Sequence, residues 1–396
     1  MTGPRVTGPR PRRFYRPMTA RSVTEQHRTA TPLELFFDLC FVVAVAQAAA
    51  LLHHDVADNH AGDGVLAYLM VFFAIWWAWM GFTWFASAYD TDDDLYRLTA
   101  LVTITGALVI AAGIPSAFDD GNFVVVTIGY TVMRLANVAQ WLRAAHGDPP
   151  RRGTALRFAA GIAVVQVGWI LRLLLPEELG LAGFAVLVVA ELAVPIWAER
   201  SGRTTWHPHH IAERYGLFTL IVLGESVLAA SLAVEDGLAE HAGASLLWLA
   251  GGGVVLVFAM WWLYFDRDAA PVLRTLRSSM LWGYGHYFVF ASAAATGAGL
   301  AVAVDYHLHK AHIGAVATGF AIAVPVAVYV LSVWALHVRP HQRGPVVAVL
   351  PVGAVLVLAT PFLPATAQVP AVAAVLAALV ALAVAVGRRV PDPLED

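Results

Sequence analysis

Apolar runs of roughly 17–25 residues, each bounded by charge, glycine or proline, recur along this chain and leave few folds open to it. Twelve such runs fall near 33–53, 65–86, 98–117, 123–142, 155–175, 181–198, 213–233, 244–265, 282–304, 311–336, 344–362 and 369–386. A bilayer core holds no water to satisfy backbone N–H and C=O groups, so a crossing segment is either a helix or a strand of a closed barrel. The alternating pattern of a barrel strand is absent, and each run reads as a helix. The expectation is an all-α polytopic membrane helix bundle of about 12 transmembrane helices. Composition agrees, with 59% apolar and 13% charged residues against roughly 45–50% and about 25% in soluble domains. That balance excludes a soluble enzyme, a nucleic-acid-binding domain and a disordered chain. The single cysteine, Cys40, excludes an internal disulfide and any metal framework resting on several thiolates.

The basic residues test this topology independently, because cytoplasmic loops are enriched in Lys and Arg. With the N-terminus in the cytoplasm, 22 of the 25 Lys and Arg residues fall on cytoplasmic segments. Arg172 and Lys310 fall outside, and Arg134 lies within a helix. Omitting one helix would scramble this split downstream, so both termini are expected in the cytoplasm.

Residues 1–32 repeat Thr-Gly-Pro-Arg twice, carry seven Arg and lack an apolar run. They read as a disordered basic cytoplasmic tail, with the membrane domain at 33–386 and a short cytoplasmic tail at 387–396. A weak internal echo, in Leu35-Phe36 against Leu217-Phe218 and Trp76-Trp77 against Trp261-Trp262, suggests a parallel 6+6 repeat with halves at 33–198 and 213–386.

Four stretches carry a family likeness: PLELFFDLCFVVAVAQ at Pro32–Gln47, ERYGLFTLIVLGESVLA from Glu213, WWLYFD from Trp261 and YGHYFVFASAAATGAGL from Tyr284. Long and in order, they resemble the bacterial low-temperature-requirement A (LtrA) family of multi-pass membrane proteins. Cys40 stands where an aliphatic residue is more usual. The resemblance implies a protein of the bacterial inner membrane linked by name to growth in the cold, and it brings no biochemical activity with it.

Function therefore rests on polar groups within the apolar runs. A charge at the centre of a membrane helix costs about 2.5–3.5 kcal/mol on insertion scales and is expected to face the bundle interior with a partner. Arg134, Glu191 and Glu225 each lie about 10–12 residues into a run, roughly 15–18 Å deep at 1.5 Å per residue. They are expected at one level, with one carboxylate left over to take up a proton. Asn137 and Gln140 share an arc of the helix with Arg134. Glu34 and Asp38, spaced i, i+4, share a face at the start of the first helix. The helix dipole explains Glu34, whereas Asp38, one turn deeper, suggests an inner gate or a partner for a loop Arg such as Arg214. Pro195 would free the carbonyl of Glu191, and Gly251-Gly252-Gly253 and Pro325 would weaken two further helices.

His286 is expected to hydrogen-bond near the inner surface. Asp305, His307, His309 and His312 share one outer connection, with His53, His54 and Asp55 in another, and these are weak candidates for a metal site. No nucleotide-binding loop, nucleophile elbow or catalytic carboxylate pair is present, and no cofactor is expected. The leading expectation is a proton- or cation-coupled secondary transporter of a small solute rather than an enzyme, with the lipid bilayer as its partner and no nucleic acid. The alternative is a non-transporting protein that senses or conditions the bilayer through its basic tail.

Overall fold

The computed structural model describes residues 14–22, 25, 28–239, 244–341 and 345–387, and among these there are helices and no strands. Twelve α-helices follow one another: α1 Pro32–Ala57, α2 Ala61–Tyr89, α3 Asp94–Asp119, α4 Val124–Gly147, α5 Arg152–Arg172, α6 Glu177–Glu199, α7 Pro208–Ala239, α8 Ala244–Phe265, α9 Leu276–His307, α10 Ala315–Val333, α11 Val349–Ala359 and α12 Ala365–Gly387. Among the described residues nine helices are long and apolar enough to cross a membrane, namely α1, α2, α3, α5, α6, α8, α9, α10 and α12. Of the rest, α4 and α7 carry charge along their length, at Arg134 and Arg143 and at Glu213, Arg214 and Glu225, and α11 is only 11 residues long. The chain is a multi-pass helical membrane protein.

Local chemistry fixes the start of α1. Thr31 accepts a hydrogen bond from the Glu34 N–H, and the Glu34 carboxylate accepts one from the Thr31 N–H at 2.7 Å, a capping box that satisfies two otherwise orphaned donors. Pro32 occupies the first turn, where its missing N–H is not needed. The prolines and glycines expected to interrupt helices do not break them: α6 runs through Pro195, α10 through Pro325 and α8 through Gly251-Gly252-Gly253. A Cβ at Gly252 would lie 3.1 Å from the Pro370 nitrogen, so this glycine serves close packing of α8 on α12.

The chain divides into two compact units, the first formed by Met1–His27, Met80–Ala107 and Thr127–His207, the second by Arg28–Trp79, Leu108–Val126 and Pro208–Asp396. These units follow a different division from the halves at 33–198 and 213–386, because α1 groups with α7–α12.

In the first unit, Trp141 on α4 stacks on Phe158 of α5 at 4.1 Å between ring centroids and meets Phe85 of α2 at 4.9 Å. The structure also corrects part of the tail expected to be disordered. The Arg21 N–H donates to the Ala88 carbonyl, the Phe14 carbonyl accepts from the Leu95 N–H, and Met18 is fully buried. A Cβ at Gly147 would stand 2.5 Å from the Met18 carbonyl oxygen, so only glycine lets the segment seat there. Residues 1–13, 23–24, 26–27 and 388–396 lie outside the described residues.

In the second unit, α9 is the central helix, packed by α1, α7 and α10 and buried continuously from Val289 to Val304. Its run of Ala, Ser, Thr and Gly permits this, since small residues let helix backbones approach. A Cβ at Gly297 would stand 2.8 Å from the Ser226 Cα on α7, and one at Gly299 would stand 2.3 Å from the Ala321 carbonyl oxygen on α10.

Candidate functional site

Within the first unit, α4 presents Arg134 to Glu191 on α6, and the two meet at 2.5 Å with both side chains buried. Glu191 also accepts from the Tyr130 hydroxyl at 2.7 Å and from the Trp169 indole N–H at 3.2 Å. Tyr130 lies one helical turn before Arg134, and its ring sits 5.6 Å from the guanidinium carbon. A carboxylate with three donors, one of them cationic, has its charge met where it stands. The arrangement therefore ties α4, α5 and α6 together. Asn137 and Arg134 lie against Gly81 of α2, Gln140 is buried, and Gln166 on α5 donates to the Thr131 hydroxyl at 2.7 Å.

Within the second unit, a second buried ionic cluster joins α1 to α7. Arg214 grips Asp38 through two hydrogen bonds, Nε to Oδ2 at 2.9 Å and Nη2 to Oδ1 at 2.5 Å. The Trp79 indole N–H donates to the same carboxylate at 2.7 Å. One turn earlier on α1, Glu34 faces Arg214 at 3.1 Å, His210 at 3.2 Å and Arg28 at 4.0 Å. Glu34, Asp38, His210 and Arg214 are all fully buried. Two carboxylates against two guanidiniums balance in charge, which a site out of water requires. This face of α1 and α7 is closed by ions.

Further along the same helices the packing opens. About 11 residues beyond Arg214, roughly 16 Å at 1.5 Å per residue, Glu225 lines a cavity of about 580 Å³ formed by α1, α7 and α9. Its walls are Val42, Val43, Ala46 and Ala49 from α1 and Ala294, Ala298 and Ala301 from α9, with Gln47 at its side. At one rim His53 of α1 meets Asp305 of α9 at 2.6 Å. Glu225 is half-buried and, among the described residues, has no ion-pair or hydrogen-bond partner. Among the described residues that line the cavity there is no Lys or Arg. A carboxylate on a mainly apolar wall with no Lys or Arg beside it among the described residues is suited to hold a proton or to attract a positive charge.

Comparison with known proteins bears on the whole membrane region. Residues 29–386 match the family described as bacterial low temperature requirement A protein (LtrA). The chain belongs to the LtrA family. It is 29% identical over 280 residues to an uncharacterized protein of Rhizobium meliloti (strain 1021), a match that covers 66% of each chain, just under two thirds of that relative. No solved structure matches. All four stretches that carry the likeness fall within the matched residues. Three of them supply the cavity and the ionic clamp of this LtrA chain: α1 with Asp38, α7 with Arg214 and Glu225, and α9 with its small-residue face.

Depth along the sequence groups Arg134, Glu191 and Glu225, but the fold distributes them. Arg134 and Glu191 belong to the first unit and pair with each other, whereas Glu225 belongs to the second and lines the cavity. His286, expected near the surface, is fully buried. Its Nδ1 meets the Trp282 carbonyl at 2.7 Å, and its Nε2 lies 3.0 Å from the Tyr264 hydroxyl and 3.5 Å from His337 Nε2. The bond to the carbonyl requires a proton on Nδ1, so Nε2 is the acceptor for Tyr264 when the ring is neutral. Among the described residues, the candidates Asp305, His307, His309 and His312 are not gathered into a metal site. Asp305 pairs with His53, His307 meets the Ala303 carbonyl, His312 pairs with Asp58, and His309 adopts a left-handed backbone with φ of 58°. Among the described residues no three His, Cys, Asp or Glu side chains converge on a point suited to a metal ion.

Trp79, Tyr130 and Trp169, which sequence reasoning passed over, complete these clusters together with His210, which the sequence suggests lies in a solvated loop and which is instead fully buried beside Glu34. Two were within reach, since Tyr130 precedes Arg134 and His210 precedes Arg214 by four positions, which places each pair on one helix face. Trp79 and Trp169 lie on other helices, and no local spacing announces them.

Proposed function

We propose that this LtrA-family protein is a proton- or cation-coupled secondary transporter of a small solute, resident in the bacterial inner membrane, with about twelve crossings and both termini in the cytoplasm. The observation that carries the reading is Glu225, a carboxylate without a partner among the described residues, in a cavity walled mainly by Val, Ala and Leu, with Gln47, Ser226, His53, His54 and Asp305 also in its lining. Such a group changes charge by exchanging a proton for a cation, which is the elementary step of coupling. The Asp38–Arg214 clamp supports the same reading. It holds α1 against α7 on one side of the cavity, as alternating access requires, and acts as a gate on that side. Arg134 and Glu191 serve as a structural tie among α4, α5 and α6, and no enzymatic chemistry is assigned.

Reconstitution tests this. Protein in liposomes loaded with a pH-sensitive dye is challenged with gradients of Na⁺, K⁺ or tetraphenylphosphonium. Ion-driven proton movement in the wild type, abolished in a folded Glu225→Gln variant, is expected. Movement that survives the substitution, or its absence from the wild type with all three ions, removes the proposal and leaves a non-transporting role at the bilayer.

A further inference from the structure

We propose that the Glu225 cavity takes a lipophilic monovalent organic cation, with charge on or next to an apolar body. This rests on the reading of the cavity as the transport site and names the class of substrate for it.

Size is the first constraint. A cavity of about 580 Å³ lies within the roughly 300–1,000 Å³ of sites for small organic ligands and far exceeds what one dehydrated metal ion fills. Charge is the second. With Glu225 without a partner, Asp305 engaged by His53 at 2.6 Å, and no Lys or Arg in the lining among the described residues, the charge of the cavity favours a cation over an anion.

The walls supply the third constraint. A hard cation such as Ca²⁺ takes six to eight oxygen ligands, whereas Val42, Val43, Ala46, Ala298 and Ala301 offer none from their side chains. The Ser226 hydroxyl already donates to the Val222 and Ala293 carbonyls. Apart from Glu225, the side-chain oxygens in the lining are those of Gln47, Ser226 and Asp305, the last two already engaged, which is too few to replace the hydration of a hard inorganic ion. An organic cation gains from both surfaces, burying apolar area at roughly 25 cal/mol per Å² and setting its charge against one carboxylate.

The titratable groups that share the cavity with Glu225 are His53 and His54 on α1 and Asp305 on α9. Glu225 is the one among them on α7, and it holds either a proton or the cation. Each cation bound to the protonated form therefore displaces one proton, and charge balances at every step.

Calorimetric titration of the full-length protein in detergent with tetraphenylphosphonium tests the inference. Saturable binding with proton release to the buffer is expected. Glu225→Gln weakens it at least about 10-fold, equivalent to about 1.4 kcal/mol. Ala46→Phe, which fills the space and leaves the carboxylate, weakens it comparably, with thermal unfolding confirming that both variants are folded. The neutral analogue triphenylphosphine oxide is not bound. Equal binding of cation and neutral analogue, equal binding by wild type and Glu225→Gln, or no binding by the wild type overturns the inference. If tetraphenylphosphonium fails to bind while Na⁺ or K⁺ still drives Glu225-dependent proton movement, only the substrate class falls. If that movement is absent too, the transport reading falls with it.

Discussion

Asp38 on α1 and Arg214 on α7 meet through two hydrogen bonds, at 2.9 and 2.5 Å, with both side chains fully buried. Breaking a buried pair from one side leaves the other charge uncompensated, at about 3–5 kcal/mol. Arg214→Ala should therefore lower the thermal unfolding temperature sharply. Arg214→Lys should lower it less, because it keeps the charge and loses the two-pronged grip. Unfolding monitored in detergent by intrinsic tryptophan fluorescence checks both, and an unchanged midpoint in Arg214→Ala would refute the clamp.

The Arg134–Glu191 pair makes a different prediction because its proposed role is structural. Either single change, Arg134→Met or Glu191→Met, should destabilise by about 3–5 kcal/mol. The double change should recover much of the loss, since apolar groups of similar volume often replace a buried ion pair at little cost. A double variant as unstable as the sum of the singles would contradict this.

Acid should loosen the packed tail segment through Asp93. Burial alone would raise its carboxyl, but hydrogen bonds from Arg143 and from the Tyr96 and Arg16 N–H groups hold it below the ordinary value of 3.8. A depressed folded value means the stabilising contribution is complete above the unfolded value and fades as pH falls through the folded one. Asp93→Asn should thus unfold at a lower temperature than wild type at pH 7, with the gap closing below about pH 4. Thermal unfolding between pH 3 and 7 measures it, and a gap that stays constant would exclude this role for Asp93.

Two glycines separate packing from propensity. Gly299→Ala places a Cβ 2.3 Å from the Ala321 carbonyl oxygen and should destabilise by about 1–3 kcal/mol. Gly251→Ala meets nothing within 4 Å and should stabilise slightly, by about 0.5–1 kcal/mol in a helix interior. Opposite shifts in unfolding midpoint are expected, and equal shifts would mean that α9 and α10 are not packed this closely.

Much of this was legible in the residues. Hydropathy gives the helices, and the face shared by Glu34 and Asp38 points to a basic partner, which Arg214 supplies. Depth correctly brings Arg134 level with Glu191. It does not specify partners, and Glu225, grouped with them by depth, lines the cavity between α1, α7 and α9. The seating of Phe14–Ser22 was hidden for another reason: an extended segment has no period, and it is held mainly by backbone groups whose partners lie far along the chain. His286 hydrogen-bonds as expected, but distance from a helix end does not reveal that Tyr264, Trp282 and His337 enclose it.

The central claim is that Glu225 exchanges a proton within the cavity. Infrared difference spectroscopy of the reconstituted protein through a pH titration addresses it directly, following the carboxyl C=O stretch of a protonated glutamic acid. A titrating band present in the wild type, absent in Glu225→Gln and suppressed by tetraphenylphosphonium is the predicted result. A wild-type spectrum identical to that of Glu225→Gln at every pH would contradict the account.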